Sequence, residues 1–205
     1  MAEGTSVLRT TIRSLDDQPP LPRDRLIVAD QPDEEAIPMD VVFVGGGPGG
    51  LAGAIELARL VKEDNENGGG IGEIEIGVLE KAGQLGEHNL SGAVVNPSAF
   101  KELFPDLSMD ELPLRRPVTK EAVYVMTESK SYRIPTPPTM KNHGNYIASI
   151  CEIVRWLGDQ AEGMGVNVFP GFPVDSLLVE GDNVIGVRTT PSGLGRDGEP
   201  QSACL

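Results

Sequence analysis

Met39-Asp40-Val41-Val42-Phe43-Val44-Gly45-Gly46-Gly47-Pro48-Gly49-Gly50-Leu51-Ala52-Gly53-Ala54-Ile55 runs from an apolar strand through a glycine-rich turn into a helix. Val41 to Val44 are apolar and mostly β-branched, the pattern of a strand buried on both faces. Leu51, Ala54, Ile55, Ala58 and Val61 then recur at helical spacing, with Arg59 and Lys62 toward the helix end. Between the two lies a G-x-G-x-x-G turn. Gly45 allows the tight turn, Gly47 lets backbone approach a pyrophosphate, and Gly50 lets helix pack closely on strand. The phosphate rests on the helix N-terminus, where free N–H groups and the positive end of the helix dipole favour an anion without a basic side chain. Gly45, Gly47, Pro48, Gly49 and Gly50 are therefore the expected cofactor-binding turn.

Glu73-Ile74-Glu75-Ile76-Gly77-Val78-Leu79 reads as a second parallel strand ending in Glu80, followed by Lys81. An acidic residue at that strand end is where this fold holds a ribose hydroxyl. The usual separation from the glycines is about 20 residues. Asp64-Asn65-Glu66-Asn67-Gly68-Gly69-Gly70 reads as a flexible insertion that accounts for the excess. By itself the turn admits NAD or FAD.

Composition narrows the class. A chain of 205 residues is long enough for one large domain, or for one and part of a second. Its net charge of −14 and lack of a Lys/Arg cluster argue against nucleic-acid binding. Cys151 and Cys204 are the only cysteines, too few for a disulfide framework or a cysteine-based metal site, so a reducing compartment is expected. No apolar run is long enough to span a bilayer, no signal-peptide core is visible, and the acidic N-terminus is unlike an organellar presequence. Cytosolic synthesis is the expectation.

Residues 1 to 37, with Pro19-Pro20-Leu21-Pro22 and Asp33-Glu34-Glu35, read as a tail or surface arm ahead of a dinucleotide-binding domain over 38–205. The segment of about 86–145 reads as inserted into that domain. Lys81 to Ala93 is polar and glycine-bearing, long enough to be a ligand-contacting loop. Ser98 to Phe104 reads as a short helix with Ser98 as N-cap, stopped by Pro105. Val123 to Met126 and Ser131 to Ile134 read as strands of a small sheet. From Tyr146 to Gly163, Ile147, Ile150, Val154, Leu157 and Ala161 draw one helical face, with Trp156 a packing residue on it. Val166 to Phe169 returns to a strand, and 175–179 with 184–189 form a hairpin. β–α–β followed by α–β is the unit of an α/β doubly wound parallel sheet.

Val44 to Leu51, Leu79-Glu80-Lys81, Leu90-Ser91-Gly92-Ala93, Phe100 to Asp106, Asn142-His143-Gly144-Asn145-Tyr146-Ile147, Trp156 to Glu162, Phe169-Pro170-Gly171-Phe172 and Gly186-Val187 together resemble the electron transfer flavoprotein-ubiquinone oxidoreductase family. The resemblance covers nearly everything after the N-terminal tail. It implies a Rossmann-like FAD-binding fold of glutathione-reductase type, with a small inserted sheet and incomplete at the C-terminus. It further implies electrons passing from reduced electron transfer flavoprotein through FAD and a four-iron four-sulfur cluster to ubiquinone. Cluster ligands, quinone pocket and second FAD-contacting region lie beyond the matched part in the family, so the chain is expected to be an N-terminal piece, and no metal site is expected in it.

By the same resemblance, Ser91 and Asn145 supply polar contacts near the flavin, and Gly92 and Gly144 leave room for close backbone approach. The family usually carries alanine where this chain has Gly46 and Gly49, which the turn is expected to tolerate. The segment matching 86–107 dips into the membrane in the family, implying peripheral contact through Leu90, Val94, Val95, Phe100, Leu103 and Phe104, on the cytoplasmic or matrix side of an inner membrane. Two alternatives remain open: a geranylgeranyl reductase-like flavoprotein, and a non-catalytic dinucleotide-binding or membrane-docking module. His143 reads as a hydrogen-bonded loop residue, and Ser91 lacks the G-x-S-x-G setting of a hydrolase nucleophile.

Overall fold

A computed structural model describes residues 20–191. In chain order the elements are α1 (Arg23–Leu26), β1 (Ile27–Val28), β2 (Val41–Val44), α2 (Pro48–Glu66), β3 (Ile76–Glu80), β4 (Ala93–Val95), α3 (Ser98–Leu103), β5 (Leu114–Pro117), β6 (Val123–Met126) and β7 (Ser131–Ile134). After a 3-10 turn at Pro138–Met140 come β8 (Tyr146–Ala148), α4 (Ile150–Gly163), β9 (Asn167–Pro170), β10 (Val174–Glu180) and β11 (Asn183–Thr189). β2, β3 and β9 form a parallel sheet in the order β2-β3-β9, with Val41 beside Ile76 and Gly77 beside Asn167.

Parallel neighbours require crossovers, and α2 and α4 supply them. The two helices pack against each other over the sheet, and Leu51, Ala54, Ile55, Val78, Val154, Leu157 and Ala161 form the buried centre. Val78 and Val154 are fully enclosed, so each strand meets helix through its apolar side chains. β2 departs from the expected strand buried on both faces. Among the described residues only β3 pairs with it, and Val44 is 58% exposed. α2 also runs farther than expected: Asp64, Asn65 and Glu66 belong to the helix, not to a flexible insertion. Arg59 and Lys62 therefore lie before the last turn, where Arg59 pairs with Glu56 and Glu63 and Lys62 with Glu66.

Outside this layer, β4 and β5 flank β8 in an antiparallel sheet, and β6 and β7 form a separate hairpin. Tyr146 and Ile147 sit in β8 rather than in the long helix, because Ala148 pairs with both Ala93 and Leu114 and the chain turns at Ser149. α3 forms where expected, but its cap is different. Pro97 is the boundary residue, Ser98 is already helical, and the Asn96 side chain accepts the Ser98 N–H at 3.0 Å. Within the segment expected as a tail, Ile27 and Val28 pair in parallel with Leu177 and Leu178 of β10, and Arg188 binds Asp30 at 2.7 Å. Residues 1–19 and 192–205, Cys204 included, lie outside the described residues.

Candidate functional site

The glycine turn joins the C-terminal end of β2 to the start of α2. Gly45 has φ +112°, a conformation that side chains disfavour, and its N–H donates to Leu79 O at 2.7 Å. The strand end is thereby tied to β3. Gly47 is the boundary residue of α2 in extended geometry, φ −82° and ψ 179°, with Pro48 at the first helical position and no side-chain cap. Pro48 has no N–H to lose, so the free donors of the first turn are backbone amides facing the turn.

Side-chain space around the glycines is uneven. A Cβ on Gly50 would overlap the carbonyl oxygen of Gly45. The helix can approach the strand end only because that position is bare. Gly47 and Gly49 have nothing within 4 Å of a Cβ position, leaving open space where a phosphate would approach. Gly46 is different. Its Cβ would come within 2.7 Å of Leu85 Cδ2 and 2.9 Å of Glu80 Cβ. Alanine at Gly46 therefore requires Leu85 and the end of β3 to shift, whereas at Gly49 it meets open space.

Glu80 stands at the last position of β3, half-buried beside the turn. Its Oε2 accepts the Gly46 N–H at 2.9 Å, and its Oε1 accepts the Ala82 N–H at 2.8 Å. One carboxylate therefore fastens the glycine turn to the loop after β3. Each oxygen retains a lone pair, so the carboxylate can also accept from a hydroxyl. Lys81, next in sequence, points into solvent.

The flavin-side candidates are placed otherwise. Ser91 and Gly92 are exposed just before β4, with Gly92 at φ +83°. Asn145 is half-buried just before β8, its carbonyl accepting the Val118 N–H at 2.8 Å and its amide 3.4 Å from Asn142 Oδ1. Because Ala93 pairs with Ala148 and Val95 with Tyr146, Ser91-Gly92 and Asn145 lie at opposite ends of the ladder. At about 3.3 Å per residue that separation is roughly 13 Å from Gly92 and roughly 16 Å from Ser91. Glu80 and the turn are brought together; Ser91 and Asn145 are not.

Beside Pro48 opens a cavity of about 470 Å³ between α2 and α4, lined by Ala52, Val95, Phe100, Leu103 and Ile153 with Glu56 at its side. Arg59 holds the Glu56 carboxyl below its usual range through a hydrogen bond. Sequence reasoning missed this cavity, whose walls come from α2, from the neighbouring β4 and α3, and from α4, three segments distant in the chain. It also missed Leu85. Gly158 in the middle of the apolar face of α4 is the signal for that contact, since glycine inside a helix is costly and usually has a packing reason.

No protein-family model matches the chain. Among curated proteins, the probable electron transfer flavoprotein-ubiquinone oxidoreductase of Acinetobacter baylyi is 42% identical over 173 residues, 82% of this chain. The mitochondrial electron transfer flavoprotein-ubiquinone oxidoreductase of Rattus norvegicus is 42% identical over 166 residues, 80% of this chain. The matched residues belong to the electron transfer flavoprotein-ubiquinone oxidoreductase family. This chain spans 30% of the Acinetobacter relative's length and 26% of the rat one's. Among solved structures, a geranylgeranyl bacteriochlorophyll reductase-like protein of Thermoplasma acidophilum superposes with a TM-score of 0.53 at 19% identity, covering 74% of this chain and 34% of that one. That likeness is one of fold: α/β, Rossmann-like, of the FAD-binding type.

Two groups follow from the resemblance, and the residues suit them unequally. The turn fits a dinucleotide, because Gly50 clears the helix approach and the space over Gly47 is open. The iron–sulfur cluster does not fit. It needs four thiolates, whereas this chain has Cys151 and Cys204, and the Cys151 thiol donates to Asn89 O at 2.9 Å. Among the described residues no three His, Cys, Asp or Glu side chains are grouped to hold a metal ion.

Proposed function

We propose that this chain supplies the adenine-dinucleotide grip of an FAD-dependent oxidoreductase that passes electrons from reduced electron transfer flavoprotein to ubiquinone. The observation that carries this reading is the Gly45–Gly50 turn, with Gly50 bare against Gly45 O and Glu80 fastened to Gly46 N. Donor and acceptor are taken from the relatives' names. Bound FAD supplies the electron-carrying ring. The chain's own residues bind and orient it: amides at the start of α2 hold the pyrophosphate, and Glu80 accepts from the adenosine ribose. Lys81, Ser91, Gly92 and Asn145 complete the set proposed to contact the cofactor.

Contact with an inner membrane, on the cytoplasmic or matrix side, is part of this reading, and exposure limits the residues proposed to make it. Phe100 is buried, and Phe104 packs edge-on against Trp156 with ring centroids 4.8 Å apart. Leu90, 87% exposed, and Val94, 48% exposed, remain outward in the 86–107 segment. Among the described residues no helix is long and apolar enough to cross a bilayer.

A second reading, an adenine-dinucleotide-binding module holding only the ADP half, is favoured by the separation of Ser91 from Asn145 across the β4–β8 ladder. One experiment tests both. The chain is incubated with FAD and NAD together, desalted, and its retained nucleotide identified; FAD affinity is then compared with ADP affinity. Retention of FAD supports the flavoprotein reading, and NAD without flavin overturns it. Tighter binding of FAD than of ADP marks a formed flavin site, whereas equal affinities favour the module.

A further inference from the structure

Leu85 lies in the loop after β3 and enters none of the contacts assigned above to the cofactor. Its two methyl groups nonetheless occupy two glycine notches. Cδ2 sits where a Gly46 side chain would begin, 2.7 Å from the Cβ position, and Cδ1 overlaps the Cβ position of Gly158 in α4. Gly46 and Gly158 are both buried. Contacts to α4 brace the same loop: the Arg155 side-chain Nε donates to Leu85 O at 3.3 Å, and a Cβ on Gly86 would lie 2.6 Å from Cys151 O. The Cys151 thiol bond to Asn89 O closes the strap one helical turn earlier.

We propose that Leu85 is a positioning residue for the phosphate-binding turn, wedged between Gly46 and Gly158 so that the turn, the end of β3 and α4 form one rigid unit. A binding turn held in its productive geometry before the ligand arrives loses less freedom on binding. Leu85 and Glu80 pack together against the same face of Gly46, and Leu85 is anchored in turn because α4 has no side chain at 158. Small-to-large changes at either glycine and large-to-small changes at Leu85 perturb the same joint, so their effects are coupled.

The inference rests on the dinucleotide reading, and the test separates the two. Calorimetric titration with ADP is run on the wild-type chain, Leu85→Ala, Leu85→Met, Gly46→Ala and the Gly46→Ala/Leu85→Ala pair, with Leu112→Ala, a buried position between α3 and β5, as a core substitution outside the turn. Leu85→Ala weakens ADP binding about tenfold, Leu85→Met stays within about twofold of wild type, and Leu112→Ala keeps wild-type affinity at temperatures where it is folded. In the Gly46→Ala background the same Leu85→Ala change costs less than about threefold. Hydrogen exchange at the Gly46 amide, measured without nucleotide, speeds up in Leu85→Ala. Wild-type affinity in Leu85→Ala, or an equal loss in Leu112→Ala, overturns the proposal. A wild-type chain that binds no ADP ends the dinucleotide reading; unchanged Gly46 exchange in Leu85→Ala shows instead that the wedge itself is absent.

Discussion

Glu80 and Gly46, 34 residues apart in the chain, are joined by a hydrogen bond of 2.9 Å from the Gly46 N–H to Glu80 Oε2. The same carboxylate takes the Ala82 N–H at 2.8 Å. Glu80 thus shapes the turn it is proposed to serve. Replacing it with alanine strands two backbone donors, at a cost of about 1–3 kcal/mol in urea unfolding. Glu80→Gln keeps one acceptor oxygen and costs less. Equal stability of wild type and Glu80→Ala would show that the bonds contribute nothing.

Gly50 and Gly49 are adjacent, yet alanine should affect them oppositely. At Gly50 the new Cβ overlaps Gly45 O and pushes α2 off the strand end, costing about 1–3 kcal/mol. At Gly49 it meets nothing within 4 Å, and alanine favours helix over glycine, so stability changes by less than about 1 kcal/mol. Thermal unfolding of the two variants checks the contrast.

Phe100 and Leu90 separate packing from surface contact. Phe100→Ala removes a buried ring beside Trp156 and costs about 3–5 kcal/mol. Leu90→Ser, at an 87% exposed position, leaves unfolding within about 0.5 kcal/mol of wild type. If Leu90 meets a membrane, Leu90→Ser reduces cosedimentation with phospholipid vesicles while the fold stays intact. Unreduced cosedimentation removes Leu90 from that surface.

Arg115 on β5 and Glu152 in the first turn of α4 are paired at 2.5 Å, tying the antiparallel sheet to the helix. The Arg115 hydrogen bond holds the Glu152 carboxyl below its ordinary value of 4.5. A depressed carboxyl stabilises the fold above its unfolded-state value, and that contribution is lost as pH falls through the folded-state value. Glu152→Gln is therefore slightly less stable than wild type near neutrality, and the difference shrinks once pH drops below 4.5. Urea midpoints measured across that range check the sign; a difference that grows on acidification contradicts it.

The parallel layer was legible because its signals are local. Val41 to Val44, the glycine spacing and the helical recurrence from Leu51 all fall within one short stretch, and Glu80 ends a run of alternating apolar residues. The strands of the β4–β8–β5 sheet were not, although the β6–β7 hairpin was. β4, β5 and β8 have three or four residues each and exist through pairing with one another. Ile147 is in phase with Ile150 and Val154, so periodicity extends the helix through it; only the register of Ala148 against Ala93 and Leu114 breaks that reading. The Gly46–Leu85–Gly158 contact was hidden for the same reason, since it joins a turn, a loop and a helix that meet only in the folded chain.

Whether the Gly45–Gly50 turn grips the adenine half of FAD is decided by calorimetric titration of FAD into the 205-residue chain and into its Gly50→Ala variant. Saturable one-site binding by the wild type is expected, competed by ADP and weakened at least about tenfold by Gly50→Ala. Equal FAD affinity in the two proteins, or binding that ADP does not displace, would contradict that grip.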